Sequence, residues 1–535
     1  MAHSNDVSAP TLTLRLLRQL KQCGKRLKAA DSTGVKLSGR DLLTRTLALR
    51  SYLLREVLDA DEKHVGIFLP PTVPAVATNF AVTLADRVSV NLNYTASSAT
   101  LKKCCETAGL KHVITSRKFL DKVGLDVGCP VVLLEDVKER ITLGDKLFAL
   151  LNSRLRSADS LHRYLGLSGQ KPGDPLTVIF TSGSTGIPKG VVLTHGNVAS
   201  NVDGIGEVVH LDDHDVILGV LPFFHSFGFT VTLWTAMTLA CSAVYHFSPL
   251  EARPIGKLAE QYGATVLLAT PTFLRSYLRR IEPEQFAKLD VVVVGAEKMP
   301  IALAEEFEQR FGVRPVEGYG TTELSPVVCV NVPPSRSGNG IECGRLEGSV
   351  GKPFRGVEAR VVSFDDDTPL AVGDAGLLEI RGPNVMQGYL NRDDLTQEAM
   401  HDGWYRTGDV AKIDEAGFIH ITGRLSRFSK IGGEMVPHIQ IEEVLTQIVG
   451  NDEEGAVRVA VTSVPDAKRG ERLVVLHTQL GIPKSDILRQ MSAAGLPNLY
   501  LPSEDSFYQV DEIPVLGSGK LDLKQLQQLA AELSK

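Results

Sequence analysis

The chain has no excess of basic residues. Its 57 lysines and arginines are outnumbered by 63 aspartates and glutamates, for a net charge of −6. Proteins that bind nucleic acid as their main task carry a basic surplus, so that class is excluded. Cysteine is sparse: seven are scattered through 535 residues, and only Cys104 and Cys105 are adjacent. There is no C-x-x-C and no Cys/His array, which excludes a disulfide framework and a zinc site and fits a reduced, cytosolic setting. The first ten residues, Met1–Pro10, are polar and lack the apolar stretch of a secretory signal. Internal repeats and low-complexity segments are also missing.

Long uninterrupted hydrophobic runs are absent, with one near-exception. Between Asp215 and Glu251 no charged Asp, Glu, Lys or Arg occurs. A bilayer span needs about 20 consecutive apolar residues. Here Pro222, His225, Ser226, Gly228 and four threonines interrupt the run, and no basic flank follows. The expectation is a buried α/β core lining a pocket.

What is present is a globular composition, 43% hydrophobic and 22% charged, in a chain too long for one core. Apolar runs at His64–Leu69, His112–Thr115, Val131–Leu134, Leu176–Thr181, Thr265–Ala269 and Asp290–Val294 lack alternation, so they predict strands covered on both faces. Helical patterns such as Ala302–Phe311 lie between them, giving the βαβ rhythm of a mostly parallel sheet. From Gly348 to Gly423 short strands and many glycines predict a β-rich subdomain, and after Arg424 comes a compact α+β tail large enough to be a domain. Glu135–Gly166 reads as an insertion. Leu147, Leu150, Leu151 and Leu155 share one helical face, among Lys138, Arg140, Lys146, Arg154, Arg156 and Arg163. The expectation is a surface helix packed by that leucine stripe; peripheral contact with an anionic membrane is the second reading.

Leu176–Gly190 reads LTVIFTSGSTGIPKG. A buried strand enters a loop of hydroxyls and glycines and meets a lysine. Glycines let backbone N–H groups approach phosphate oxygens; Thr181, Ser182, Ser184 and Thr185 add hydroxyl donors around Gly183 and Gly186, and Lys189 adds charge. The loop is not a Walker A motif, because five positions after Gly183 stands Pro188. A flexible linker needs neither the strand before nor the Pro-Lys-Gly after.

TSGSTGIPKGVVLTH resembles the signature of the adenylate-forming superfamily of acyl-CoA synthetases, luciferases and adenylation domains. Further motifs match in the family's order over about residues 40–530. The resemblance implies an α/β fold: a large N-terminal domain of two mostly parallel α/β subdomains plus a small β-barrel-like subdomain, and a small mobile α+β C-terminal domain. Applied here it gives an AMP-binding domain over 1–423, a C-terminal domain over 427–535 and a hinge near 424–427. It also implies ATP and Mg²⁺ as cofactors.

The residue roles follow from that resemblance. In GYGTTE, Tyr319 stacks on adenine, Gly320 and Thr321 line the nucleotide, Thr322 contacts the α-phosphate and Glu323 holds Mg²⁺. Gly295, Ala296 and Glu297 line the adenine and acyl group. Asp409 of WYRTGD takes both ribose hydroxyls, since a carboxylate accepts two hydrogen bonds from a diol, and Arg424 is a second ribose ligand. His225 of PFFHSFG lies beside the reacting carboxylate; a satisfied core histidine is the alternative. Lys520 of PVLGSGK is the mobile catalytic lysine, which bridges carboxylate and α-phosphate and stabilises the transition state; an exposed tail lysine is the alternative. Gly432 and Gly433 of KIGGEMV resemble a thiol-tunnel segment. At the hinge position, usually Asp or Lys, stands Ser426.

The wording of VNLNYTASSATLKKC, RFSKIGGEMVPHIQIEEVL and PVLGSGKLDL is similar to the acyl-acyl-carrier-protein synthetase half of the 2-acylglycerophosphoethanolamine acyltransferase family. That implies a fatty acid as substrate and a carrier-protein or CoA thiol as acceptor. The acyltransferase half is missing; His210–Asp215 satisfies H-x-x-x-x-D, a match that arises easily by chance in an acidic loop. A ligase for an aryl or short-chain acid and a nucleotide-binding member without activity are the alternatives.

Overall fold

The computed structural model describes residues 11–182, 188–336, 344–450, 457–515 and 521–535. Four sheets organise them. The first has nine strands in the order Lys352–Pro353, Val327–Val330, Val316–Gly320, Val291–Val294, Val266–Ala269, Val216–Gly219, Ser242–Tyr245, Leu27–Asp31, Lys36–Ser38, parallel from Val316–Gly320 through Leu27–Asp31. The second has seven: Gly388–Tyr389, Pro188–Thr194, Pro175–Ser182, Val88–Asn91, His64–Phe68, Val113–Thr115 and Val131–Leu133. It is parallel except where Pro175–Ser182 folds back on Pro188–Thr194 as a hairpin and where Gly388–Tyr389 joins the edge. The apolar runs thus became strands because they are walled on both sides; every residue of Val266–Ala269 and Val291–Val294 is buried.

A third, antiparallel sheet combines Glu358–Val362, Gly376–Arg381, Met400–His401, Trp404–Ile413 and Ile419–Arg424. The fourth holds Phe428–Ile431, Glu434–Pro437, Val459–Asp466, Gly470–His477 and Phe507–Gln509. The largest apolar core runs from Leu12 to Ile419, whereas the cores around the fourth sheet begin at Ile431 and share no residue with it. A large N-terminal domain with parallel sheets is therefore followed by a smaller α+β domain built on an antiparallel sheet.

Several connecting helices start where the sequence supplies a capping side chain. The Thr194 side chain accepts from Asn197 N–H while the Asn197 side chain reaches back, opening His195–Val209. Thr270 caps Pro271–Arg280, with Pro271 in the first turn.

The uncharged run is core. It forms Val216–Gly219, a π-helical stretch Gly228–Thr235, a short turn Ala236–Thr238 and Ser242–Tyr245. All eight residues of the π-helical stretch are buried. Three of the run's four threonines are satisfied by carbonyls: Thr230 donates to Ser325 O, Thr232 to Gly228 O and Thr238 to Trp234 O, while Thr235 Oγ1 is buried without a partner. Among the described residues no helix is long and apolar enough to cross a membrane.

The leucine helix departs from expectation. Leu143–Leu155 forms, but Leu143, Leu147, Leu150, Leu151 and Leu155 are exposed, and its buried residues are Asp145, Ala149, Asn152 and Ser153. The stripe does not pack the helix; the polar side does.

Candidate active site

The parallel strands Val291–Val294 and Val316–Gly320 pair with Val294 opposite Glu317, so their C-terminal ends lie side by side. Ligands in α/β sheets gather at such ends. Gly295, Ala296 and Glu297 follow one strand, and Tyr319, Gly320 and Thr321 end the other. Two details show a tightly specified backbone. A Cβ on Gly320 would lie 1.8 Å from Pro326 O, so only glycine fits. Ala296 holds φ at 68°, a conformation that side chains avoid and that recurs at binding sites. Glu297 accepts a hydrogen bond from Thr272 Oγ1 at 2.8 Å.

Asp409 and Arg424 oppose each other across the antiparallel strands Trp404–Ile413 and Ile419–Arg424. Arg424 Nε donates to Asp409 Oδ1 at 2.8 Å, and the Tyr319 hydroxyl donates to Asp409 Oδ2 at 2.5 Å. Thr407 Oγ1 accepts from the Asp409 N–H at 3.0 Å within the same strand. Each oxygen of the buried carboxylate thus accepts one hydrogen bond and keeps a second lone pair for a ligand hydroxyl. Burial and the adjacent Asp409 carboxylate hold the Tyr319 phenol well above its ordinary pKa, so it stays a donor. Asp409, in turn, raises that of Arg424.

A second cluster is built by a strand pairing that the sequence did not announce. Tyr389 opposes Val191 at the edge of the second sheet. Its hydroxyl donates to Glu323 Oε1 at 2.9 Å, and Lys189 Nζ stands 5.2 Å from the centre of its ring. Desolvation and then the Glu323 carboxylate push the Tyr389 phenol up. One aromatic residue therefore links the lysine of the Gly-rich segment to the glutamate of GYGTTE. Thr181 pairs with Lys189 and Ser182 with Pro188, closing the hairpin. The tip that carries Gly183, Ser184, Thr185 and Gly186 lies outside the described residues, as do the Ser182 side chain and Lys520.

Thr322 starts the 3-10 turn Thr322–Leu324, and its Oγ1 accepts from Ser226 Oγ at 3.2 Å. That bond brings PFFHSFG against GYGTTE. His225, beside Ser226, is exposed, so it is not a core histidine. Phe224 before it is buried edge-on to Tyr94, with ring centres 4.7 Å apart.

The arrangement fits a nucleotide and a divalent cation. Thr321 Oγ1 is buried with no hydrogen-bond partner beside Tyr319 and Thr322, and an orphan hydroxyl there is one that a ligand can satisfy. Among the described residues no group of three or more His, Cys, Asp or Glu converges on one point. Glu323, oriented by the Tyr389 hydroxyl, offers a single carboxylate, and Mg²⁺ is commonly held by one or two carboxylates while phosphates and water supply the rest.

The remaining predicted residues lie apart. Ser426 is exposed in the turn Leu425–Arg427 between the third and fourth sheets. Gly432 and Gly433 form the tip of the hairpin Phe428–Ile431/Glu434–Pro437, with φ of 61° and 92°. A two-residue hairpin with both central φ positive is reason enough for two glycines. Tyr389 and Ser226 are the residues that sequence reasoning missed. Ser226 lies inside a motif already singled out, while Tyr389 offered only a Gly-Tyr pair.

A family model described as AMP-binding enzyme matches residues 17–390. The long-chain-fatty-acid–CoA ligase of Bacillus subtilis (strain 168) is 26% identical over 82% of this chain and 80% of that protein. The crystal structure of ATP-bound MatB from Rhodopseudomonas palustris superposes with a TM-score of 0.79 at 25% identity, covering 98% of this chain and 100% of that one. The O-succinylbenzoate coenzyme A synthetase (MenE) of Bacillus subtilis, in complex with ATP and a magnesium ion, shares the fold with a TM-score of 0.77 at 21% identity, covering 96% and 99%. The fold and the match over most of the length agree: the chain belongs to the AMP-binding enzyme family and is an enzyme of its acid–thiol ligase class.

Proposed function

We propose that the chain activates a medium- or long-chain fatty acid with ATP, then passes the acyl group to the phosphopantetheine thiol of CoA or of an acyl carrier protein. The observation that carries the adenylation reading is the buried Asp409 carboxylate, with one hydrogen bond to each oxygen and a lone pair left on each for a ribose diol. Tyr319 offers its ring to adenine and Arg424 reinforces the ribose contact. A carboxylate oxygen of the acid attacks the α-phosphorus and the bond to pyrophosphate breaks. Thr181, Ser182, Gly183, Ser184, Thr185, Gly186 and Lys189 grip the departing phosphates, and Thr322 contacts the α-phosphate. Mg²⁺, when bound, neutralises phosphate charge, and Glu323 would hold it. His225 orients the acid, and Lys520 neutralises the two anions that must meet. In the second step the thiol attacks the acyl carbonyl and AMP leaves, with Gly432 and Gly433 beside the incoming arm and Ser426 absorbing the rotation of the C-terminal domain.

The fatty-acid reading is supported by the Bacillus subtilis relative named as a long-chain-fatty-acid–CoA ligase. Wording near Gly432 and Lys520 supports a phosphopantetheine thiol as acceptor, on a carrier protein or on CoA. A cytoplasmic setting accords with the six described cysteines, all free thiols.

The test is acid-dependent ATP–pyrophosphate exchange over acids from acetate to stearate, followed by transfer to CoA and to holo carrier protein. Exchange greatest with the longer acids is expected. Exchange only with aryl or short acids would replace the substrate, and none with any acid would remove the enzyme reading. Lys520→Ala should lose about 100-fold or more in adenylation while keeping thioester transfer; equal loss of both would contradict domain rotation.

A further inference from the structure

Helix Leu143–Leu155 turns its leucines outward. Leu143 is 83% exposed, Leu155 78%, Leu147 56%, Leu151 46% and Leu150 36%. Among the described residues sixteen large apolar side chains are this exposed, and five of them fall on these thirteen positions. Scattered exposed leucines need no explanation; a contiguous strip does.

The outward orientation is fixed by the opposite face. Asp145 is buried and accepts from Ser51 Oγ at 2.7 Å and from Arg55 at 2.8 Å, both on helix Gly39–Glu56. Asp145 also completes a capping box with Thr142. Ser153 Oγ meets Thr44 Oγ1 at 2.8 Å, and the Ser153 carbonyl accepts from Lys21 Nζ at 2.8 Å. Ala149 is fully buried between these polar anchors. Rolling the helix to hide its leucines would break all of these bonds and strand a carboxylate in the wrong place. At 100° per residue the five leucines cover an arc centred opposite Asp145, Ala149 and Asn152, with Arg154 inside the arc and Lys146 at its edge.

Charge decides what can cover this strip. The exposed charges from Lys138 to Arg163 are Lys138, Arg140, Lys146, Arg154 and Arg163 against Glu139 and Asp159. Asp159 is already paired with Arg18 at 2.6 Å. Just upstream, Glu135 accepts from the Arg117 N–H and Asp136 pairs with the Arg117 guanidinium. The patch is therefore basic on a chain whose net charge is −6. At its border the exposed Tyr164 stands 6.1 Å from Phe148, with the Arg156 guanidinium 3.8 Å above its ring. An aromatic residue with a polar tip, leucines and flanking cations are the components of a helix that lies in the plane of an anionic bilayer surface.

We infer that the leucine face of Leu143–Leu155, with Lys146 and Arg154, docks the enzyme on anionic lipid bilayers. The leucines enter the acyl boundary while the basic side chains meet the head groups, and the polar face stays on helix Gly39–Glu56. No bond is made or broken, so docking is reversible. It does not depend on which acid the active site takes.

The test is co-sedimentation of the full chain with vesicles. One set is phosphatidylcholine alone; the other includes about 30% phosphatidylglycerol. Binding to the anionic set is expected to exceed binding to the neutral set by about tenfold, and to fall as NaCl rises from about 0.1 to about 0.5 M. Leu147→Asp with Leu151→Asp should weaken anionic binding about tenfold or more. Lys146→Glu with Arg154→Glu should weaken it to a similar degree at low salt. Both pairs alter exposed positions, so melting temperatures should stay within about 2 °C of wild type. If the wild type fails to sediment, binds both sets equally, or binds as well with either pair changed, the inference is overturned. Light scattering supplies the last outcome: a wild-type dimer made monomeric by Leu147→Asp with Leu151→Asp would assign the face to a second copy and overturn the bilayer.

Discussion

Two segments of this chain look alike in composition and end in opposite places. Val216–Leu250 carries no charged Asp, Glu, Lys or Arg and is mostly buried, completely so over Gly228–Thr235; Leu143–Leu155 carries a leucine stripe and exposes it. The difference lies in their polar atoms. Three of the four threonines of the first segment find carbonyl partners within the core, while Thr235 Oγ1 and the Trp234 indole N–H are buried without one, so little opposes burial. In the second, Asp145 and Ser153 find partners on helix Gly39–Glu56 and Lys21. Those bonds draw the polar face inward. Hydrophobic pattern tells which residues share a face; hydrogen-bond partners elsewhere in the chain decide which face is inside.

The contrast can be broken by substitution. The largest effect is expected in the buried segment. Trp234 is fully buried, 5.1 Å from Phe80 between ring centres, and Trp234→Ala should cost about 3–5 kcal/mol in a denaturant titration. Gly228→Ala follows, because a Cβ there would lie 2.2 Å from Pro222 O; overpacking of this kind costs about 1–3 kcal/mol. On the leucine helix the anchor matters more than the stripe. Asp145→Asn should cost about 1–3 kcal/mol by leaving Arg55 and Ser51 poorly paired. Leu147→Ala should change stability by less than about 0.5 kcal/mol. A loss of several kcal/mol from Leu147→Ala would mean that the stripe is covered in solution.

Asp145 also gives a pH signature. Burial raises its pKa, but hydrogen bonds from Ser51, Thr142 and Arg55 outweigh that and bring it down to about 2. A carboxyl whose folded value lies below its unfolded value of about 3.9 stabilises the fold above that pH, and loses the contribution as pH falls through the folded value. Thermal unfolding of wild type should therefore weaken between about pH 4 and pH 2 by more than that of Asp145→Asn. Parallel curves would remove Asp145 as the anchor.

Much of the fold was legible because both parallel sheets use strands buried on two faces. Continuous apolar runs marked His64–Phe68, Val266–Ala269 and Val291–Val294 to within a residue or so. The polar cluster was legible in contiguous motifs: Tyr319 near the end of Val316–Gly320 and Asp409 within Trp404–Ile413 stand in hydrogen-bond contact. The link from Lys189 through Tyr389 to Glu323 was not, since it depends on a two-residue edge strand pairing with a hairpin about 200 residues earlier. Tyr389→Phe sharpens the point: it should lower Mg²⁺ affinity or turnover about 10-fold while leaving the fold stable, because second-layer bonds orient metal-holding carboxylates.

The separation of the cores has a further consequence. Between the two domains the described links include the exposed ion pairs Lys298–Glu443 and Lys430–Asp365. Pairs of this kind contribute about 0–1 kcal/mol and are screened by salt. Those two tethers are ones that water and dissolved ions readily replace, whereas the Phe364–Phe428 ring contact, 6.5 Å between centres, is apolar. Ionic strength therefore acts on the charged part of this junction and leaves its aromatic part untouched.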